Sequence, residues 1–135
     1  MKQVLIINVT RMGDLIQTSP LLSRLREEWP DVAIDLVVDR SFGPTAALLT
    51  GVRQVISYDF TRLLDDCRTQ SKSLVTLMQE MTAWAAPLRA ARYDRIVNLT
   101  FNRQTGLLAS YIGAPDLRGI TAGPDGSPIV QNPWL

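Results

Sequence analysis

A glycine–aspartate pair, Gly13–Asp14, is the feature of this 135-residue chain that most plainly offers chemistry. It follows the apolar run Val4 to Val9 and precedes Gln17 and Ser19–Pro20, so Asp14 falls where a strand gives way to a helix. A carboxylate in that position can take a proton from an attacking hydroxyl. The same residue can cap the helix, with Gln17 completing a capping box. Ser19, with Pro20 at the first helical position, offers a second start. A helix N-terminus stabilises the anion and weakens it as a base. Such a group therefore works by position, accepting the proton only as the nucleophile turns acidic in the transition state.

Composition removes several other chemistries. The chain has no histidine and one cysteine, Cys67. Ser-His-Asp and Cys-His nucleophile systems, His-ligated metals and structural zinc sites are thereby excluded, and no internal disulfide can form. Any proton must go to a carboxylate, a tyrosine or a group outside these residues. Lys plus Arg is 14 against 13 Asp plus Glu, with no long basic run, which argues against nucleic acid as a partner. All the basic residues except Lys2 and Lys72 are arginine, so an anionic ligand is permitted. No apolar run approaches the ~20 residues of a membrane helix, and the short first run lacks the tail of a signal peptide. A cytoplasmic, reducing location is the expectation.

The elements that must position these residues alternate between strand and helix. Strands are predicted at Val4–Ile7, Ala33–Val38, Gln54–Tyr58, Arg95–Leu99 and Leu117–Thr121. Helices are predicted at Leu21–Trp29, Pro44–Leu49, Leu74–Leu88 and Gln104–Ile112, with residues 65–73 polar and the Gly- and Pro-rich tail from Ala122 as loop. This order gives βαβ units, and so a Rossmann-like parallel sheet with helices on both faces. Ligands of such sheets bind beyond the carboxyl ends of the strands. That places Asn8 to Asp14, Asp39 to Gly43, Tyr58 to Arg62 and Thr100 to Thr105 at the site. Asn98, Thr100, Asn102 and Arg103 end the fourth strand, and Arg103 suits a carboxylate or phosphate. Arg40 and Ser41 are weaker candidates. The first loop has Gly13 but no G-x-G-x-x-G, and the chain has no G-x-x-x-x-G-K-[ST], so neither a dinucleotide fingerprint nor a P-loop is present. A stand-alone flavodoxin-like nucleotide- or partner-binding module remains a rival reading.

The chain also resembles a known family. Val4-Leu5-Ile6-Ile7, Arg11-Met12-Gly13-Asp14 and Gln17-Thr18-Ser19-Pro20 are similar to the opening of glycosyltransferase family 9, the lipopolysaccharide heptosyltransferases. Tyr93 to Thr100, Gly113-Ala114-Pro115 and Arg118-Gly119-Ile120 extend the likeness over nearly the whole chain. The resemblance implies that residues 1–135 form the N-terminal, acceptor-binding half of a GT-B fold, whose C-terminal half binds the donor and is absent from this chain. It implies an inverting, metal-independent transfer of heptose from ADP-heptose to a lipopolysaccharide inner-core acceptor, with no further cofactor and no activity in the isolated chain. Asp14 is then the base, and Thr10, Arg11, Met12 and Gly13, with Asn102 and Arg103, bind the acceptor. Asn8 departs from the family, many of whose members carry a basic residue there. Because such an acceptor is membrane-held, Arg62, Arg68, Lys72, Arg89 and Arg92 are candidates to face anionic headgroups, against the simpler reading of a solvated helix surface.

Overall fold

The computed structural model describes residues 2–9, 18–46, 49–70, 72–100, 103–122 and 128–131. The run Val4–Ile7 is wholly buried and builds β1 (Gln3–Ile7), as a strand covered on both faces requires. α1 (Ser19–Glu28) follows, with Pro20 in its first turn and Leu21, Leu22 and Leu25 inward. Then come β2 (Ala33–Asp39), a 3₁₀ turn (Arg40–Phe42), the single turn α2 (Gly43–Ala46) and β3 (Gln54–Tyr58). α3 (Phe60–Thr69), α4 (Leu74–Ala90), β4 (Arg95–Asn98), α5 (Arg103–Ile112), β5 (Asp116–Ala122) and β6 (Pro128–Gln131) complete the order.

The sheet runs β3-β2-β1-β4-β5-β6. The first five strands are parallel, so the Rossmann-like reading holds. Alternation along each strand divides the core. Leu5, Ile7, Val37 and Ile96 meet α3, α4 and α5 on one face. Val4, Ile6, Ile34, Leu36, Val38 and Val97 meet α1 and α2 on the other.

Two expectations are corrected. The tail from Ala122 is not all loop: β6 pairs antiparallel with β5, from Gly119 opposite Gln131 to Ala122 opposite Pro128. Its proline stands first in an edge strand, where a missing N–H breaks no interior ladder. The stretch before residue 70 is not a polar connection but α3. Among its described side chains Phe60 and Leu63 are buried, and Asp59 caps it by accepting the Arg62 N–H at 3.0 Å. On α4, Leu77, Met81, Ala85 and Leu88 are buried as the stripe requires, whereas Met78 turns outward.

The amino ends of the strands carry the ionic architecture. Asp35, fully buried, accepts from Arg53 Nε at 2.9 Å and Nη2 at 2.7 Å, from Gln54 Nε2 at 3.0 Å and from the Tyr93 hydroxyl. Burial pushes its carboxyl up, but these donors outweigh it and hold the group below the usual aspartate range. Burial, with the Asp35 carboxylate beside it, pushes the Tyr93 phenol well up. Arg95 ties Glu28 at 2.9 Å to Asp116 at 2.8 Å and stacks 4.2 Å from the Trp29 ring. Asp94 accepts the Gln3 N–H at 2.8 Å. The family-like segment Tyr93-Asp94-Arg95 is thus structural, at the end of the sheet away from the strands' carboxyl ends.

Gly119 has a comparable role on β5. Its φ is +81°, and a Cβ there would drive into the Asn98 carbonyl oxygen of the neighbouring strand. Gly119→Ala should therefore cost at least ~2 kcal/mol through strain and strand displacement, read as a lowered urea midpoint. A loss under ~0.5 kcal/mol would show that β5 can relax away from β4 at no cost.

Candidate functional site

β1 and β4 are neighbours, and the chain leaves them toward opposite sides of the sheet. β1 leads to β2 and β3 on one side, and β4 leads to β5 on the other. The gap beyond their carboxyl ends is the topological switch point, where open parallel sheets bind ligands. Register sets it closely: Ile7 lies opposite Asn98, so both strands end at one level.

A buried polar network occupies that point. The Asn8 N–H donates to the Val37 carbonyl at 3.0 Å, and its side-chain amide donates to Thr18 Oγ1, also at 3.0 Å. The Val9 N–H donates to Thr100 Oγ1 at 2.9 Å. The Thr100 N–H in turn donates to Asn98 Oδ1 at 3.0 Å, and Thr105 Oγ1 donates to the Thr100 carbonyl at 3.1 Å. Asn8, Thr18, Asn98, Thr100 and Thr105 are all buried. Groups this deep carry polar atoms at a cost unless bonded; the Asn8 and Val9 bonds join segments apart in the chain, and the Asn98–Thr100 bond closes a local turn. The residues that bound the first loop, Val9 and Thr18, are therefore both fastened by side chains. The start of the β4 loop is fastened to the first turn of α5.

Thr10, Arg11, Met12, Gly13, Asp14 and Asn102 lie outside the described residues, as does the Arg103 side chain; Arg103 itself is the first residue of α5. Of the two segments expected to carry the site, the structure brings their flanking residues together: Val9 and Thr100 are in direct contact. Asn8, where the family resemblance carries a basic residue, serves here as the donor that holds Thr18. The Thr100 and Thr105 contacts join residues far apart in the chain or across a turn, and single-sequence periodicity carries no signal for them. Among the described residues no group of three His, Cys, Asp or Glu side chains is arranged to hold a metal ion.

Asp39 ends β2 and accepts from the Ser41 N–H at 3.1 Å and its hydroxyl, from the Phe60 N–H at 2.9 Å and from the Thr61 N–H at 3.2 Å. Burial raises its carboxyl, and these donors outweigh the burial, so it stays below the ordinary value of 3.8. Its lone pairs fasten the 3₁₀ turn and the start of α3 to β2, and Ser41 is engaged there with it. The basic residues expected at lipid headgroups are mostly partnered within the chain. Arg68 meets Asp65 at 2.7 Å, Lys72 meets Glu80 at 3.0 Å, Arg62 meets Asp66 at 3.8 Å and Arg89 donates to the Tyr111 carbonyl at 2.8 Å. These contacts knit a surface of mixed sign. Cys67 lies in α3, with its side chain outside the described residues.

A doubly wound domain with a polar switch point is the class this geometry defines. Solved structures show the same fold. A glycosyl transferase family 9 protein from Veillonella parvula superposes with a TM-score of 0.70 at 24% identity, over 89% of this chain and 32% of the other. E. coli heptosyltransferase WaaC, solved with ADP-2-deoxy-2-fluoro heptose, gives 0.68 at 23% identity, over 86% of this chain and 35% of the other. E. coli ADP-heptose lps heptosyltransferase II gives 0.67 at 21% identity, over 87% and 30%. The chain thus spans about a third of the length of the structures it matches. No family model and no curated protein matches it. The resemblance read from the sequence therefore extends to the three-dimensional fold.

Asp39 provides a test of this end of the sheet. A carboxyl held below 3.8 contributes stability above that pH and loses it as pH falls through the folded value. Asp39→Asn turns an NH₂ toward N–H donors and should cost about 1–3 kcal/mol at pH 7. The deficit should shrink on acidification, as the native carboxyl itself protonates. Urea unfolding from pH 7 to pH 2 checks this, and a deficit independent of pH would contradict it.

Proposed function

We propose that the chain is the acceptor-side domain of a GT-B glycosyltransferase that moves heptose from ADP-heptose to a lipopolysaccharide inner-core acceptor, with inversion and without a metal. One observation carries the reading. The residues flanking the Gly13–Asp14 loop and the Asn102–Arg103 loop meet at the switch point of a domain that superposes on heptosyltransferases.

In this reading Asp14 takes the proton of the acceptor hydroxyl while its oxygen bonds to the anomeric carbon. The bond from that carbon to the diphosphate breaks on the opposite side, and ADP leaves with the electron pair. Positive charge gathers on the sugar and negative charge on the diphosphate. Thr10, Arg11, Met12 and Gly13 line the acceptor beside Asp14, and Asn102 and Arg103 close on it from β4, with Arg103 pairing an acceptor carboxylate or phosphate. The donor belongs to a second domain outside this chain, no cofactor is needed, and the reaction is cytoplasmic. Asp14 is also favoured by what its rivals do. Asp39 and Asp59, the described carboxylates at the ends of β2 and β3, are both committed to the start of α3.

In the full-length enzyme, Asp14→Asn should lower kcat by roughly 10²-fold or more, with KM for ADP-heptose within about threefold of wild type. A kcat near wild type would return Asp14 to helix capping. The 135-residue chain alone should transfer no sugar, and turnover by it would overturn the two-domain reading.

A further inference from the structure

Thr100 holds a position that its place in the β4 loop does not explain. Its hydroxyl accepts the Val9 N–H across the switch point at 2.9 Å, in a site where Thr100 is 1% and Val9 6% exposed. Its own N–H is held by Asn98 Oδ1, and its carbonyl by Thr105 Oγ1 from the first turn of α5. Backbone donor, side-chain acceptor and backbone acceptor are thus all engaged, by Asn98 at the end of β4, by Val9 after β1 and by Thr105 in α5. Val9 is the last described residue before the Gly13–Asp14 loop, and Thr100 is the last before Asn102 and Arg103. The other end of the first loop is fixed by Asn8 on Thr18. Water has little access to replace the Val9–Thr100 bond, so its loss leaves a buried N–H unsatisfied.

We infer that Thr100 is a positioning residue that couples the carboxyl end of β1, at Val9, to the carboxyl end of β4, so that displacing one strand end displaces the other. Its kinetic consequence rests on the glycosyltransferase reading, in which the base and the acceptor contacts follow those two strand ends in the chain. Misplacing a reacting group by about an ångström can cost on the order of 10²-fold, so the link has leverage on the chemistry.

Thr100→Val keeps the shape and removes the acceptor, and Thr100→Ser keeps the acceptor. Tyr93→Phe, which removes a buried hydrogen bond to Asp35 at the other end of the sheet, is the control for general destabilisation. Hydrogen exchange of the full-length protein should show residues 9–17 and 101–105 exchanging at least ~tenfold faster together in Thr100→Val, near wild type in Thr100→Ser and unchanged in Tyr93→Phe. Acceleration confined to one of the two segments, or equal in Tyr93→Phe, overturns the coupling. In the sugar-transfer assay, Thr100→Val should lower kcat/KM for the acceptor by ~tenfold or more, leave KM for ADP-heptose within about twofold, and be rescued by Thr100→Ser. Coupled exchange in a protein that transfers no heptose would sustain the coupling and overturn the functional reading instead. Wild-type kinetics in Thr100→Val would overturn the positioning role in an active enzyme.

Discussion

Ile7 faces Asn98 where β1 pairs in parallel with β4, and that register is the constraint on which the rest of the molecule depends. It ends both strands at the same level, at the point where the strand order departs toward β2 on one side and β5 on the other. The buried bonds among Asn8, Val9, Thr18, Asn98, Thr100 and Thr105 satisfy the polar groups buried at that point. Function is proposed there for the same reason that the network is needed there. Backbone leaves the ladder at that point, and side chains must take over its hydrogen bonds.

The two ends of the sheet divide their labour. At the amino ends, charge is neutralised within the fold: Asp35 by Arg53, Arg95 by Glu28 and Asp116. Each pair sets one buried group against a partly exposed partner, an arrangement that holds geometry more than it adds net energy. At the carboxyl ends of β1 and β4 the described links are uncharged amides and hydroxyls, and the carboxylates beyond β2 and β3, Asp39 and Asp59, are engaged at the start of α3. A polar but uncharged floor leaves the local field to groups on the loops. That suits the roles proposed for Asp14 and Arg103.

Elements with strong local signals were legible in the sequence. β1 reads from an unbroken β-branched run, α4 from a long apolar stripe, and the order of strands and helices fixes the doubly wound class. α3 and β6 were not read from the sequence: the charged residues from Asp65 onward obscured a helical recurrence of Phe60, Leu63, Leu64 and Cys67, and a proline-led edge strand looks like a tail. That recurrence and the Asp59 cap were the signals that could have revealed α3. At the site, the loops were found from strand ends and topology. The links between them were not, since Val9 and Thr100 are joined only by the fold. Tyr93 and Arg95, conspicuous in the family-like segment, turned out to serve the opposite end of the sheet, a distinction that requires the register.

In the proposed enzyme the acceptor sits at the switch point between β1 and β4. A photo-crosslinkable inner-core oligosaccharide, irradiated with the full-length protein and mapped by mass spectrometry, tests it most directly. The account predicts labels within residues 9–18 and 99–105, competed by unlabelled acceptor and not by ADP-heptose. Labelling confined to the amino ends of the strands, around Arg53, Tyr93 and Arg95, would contradict it.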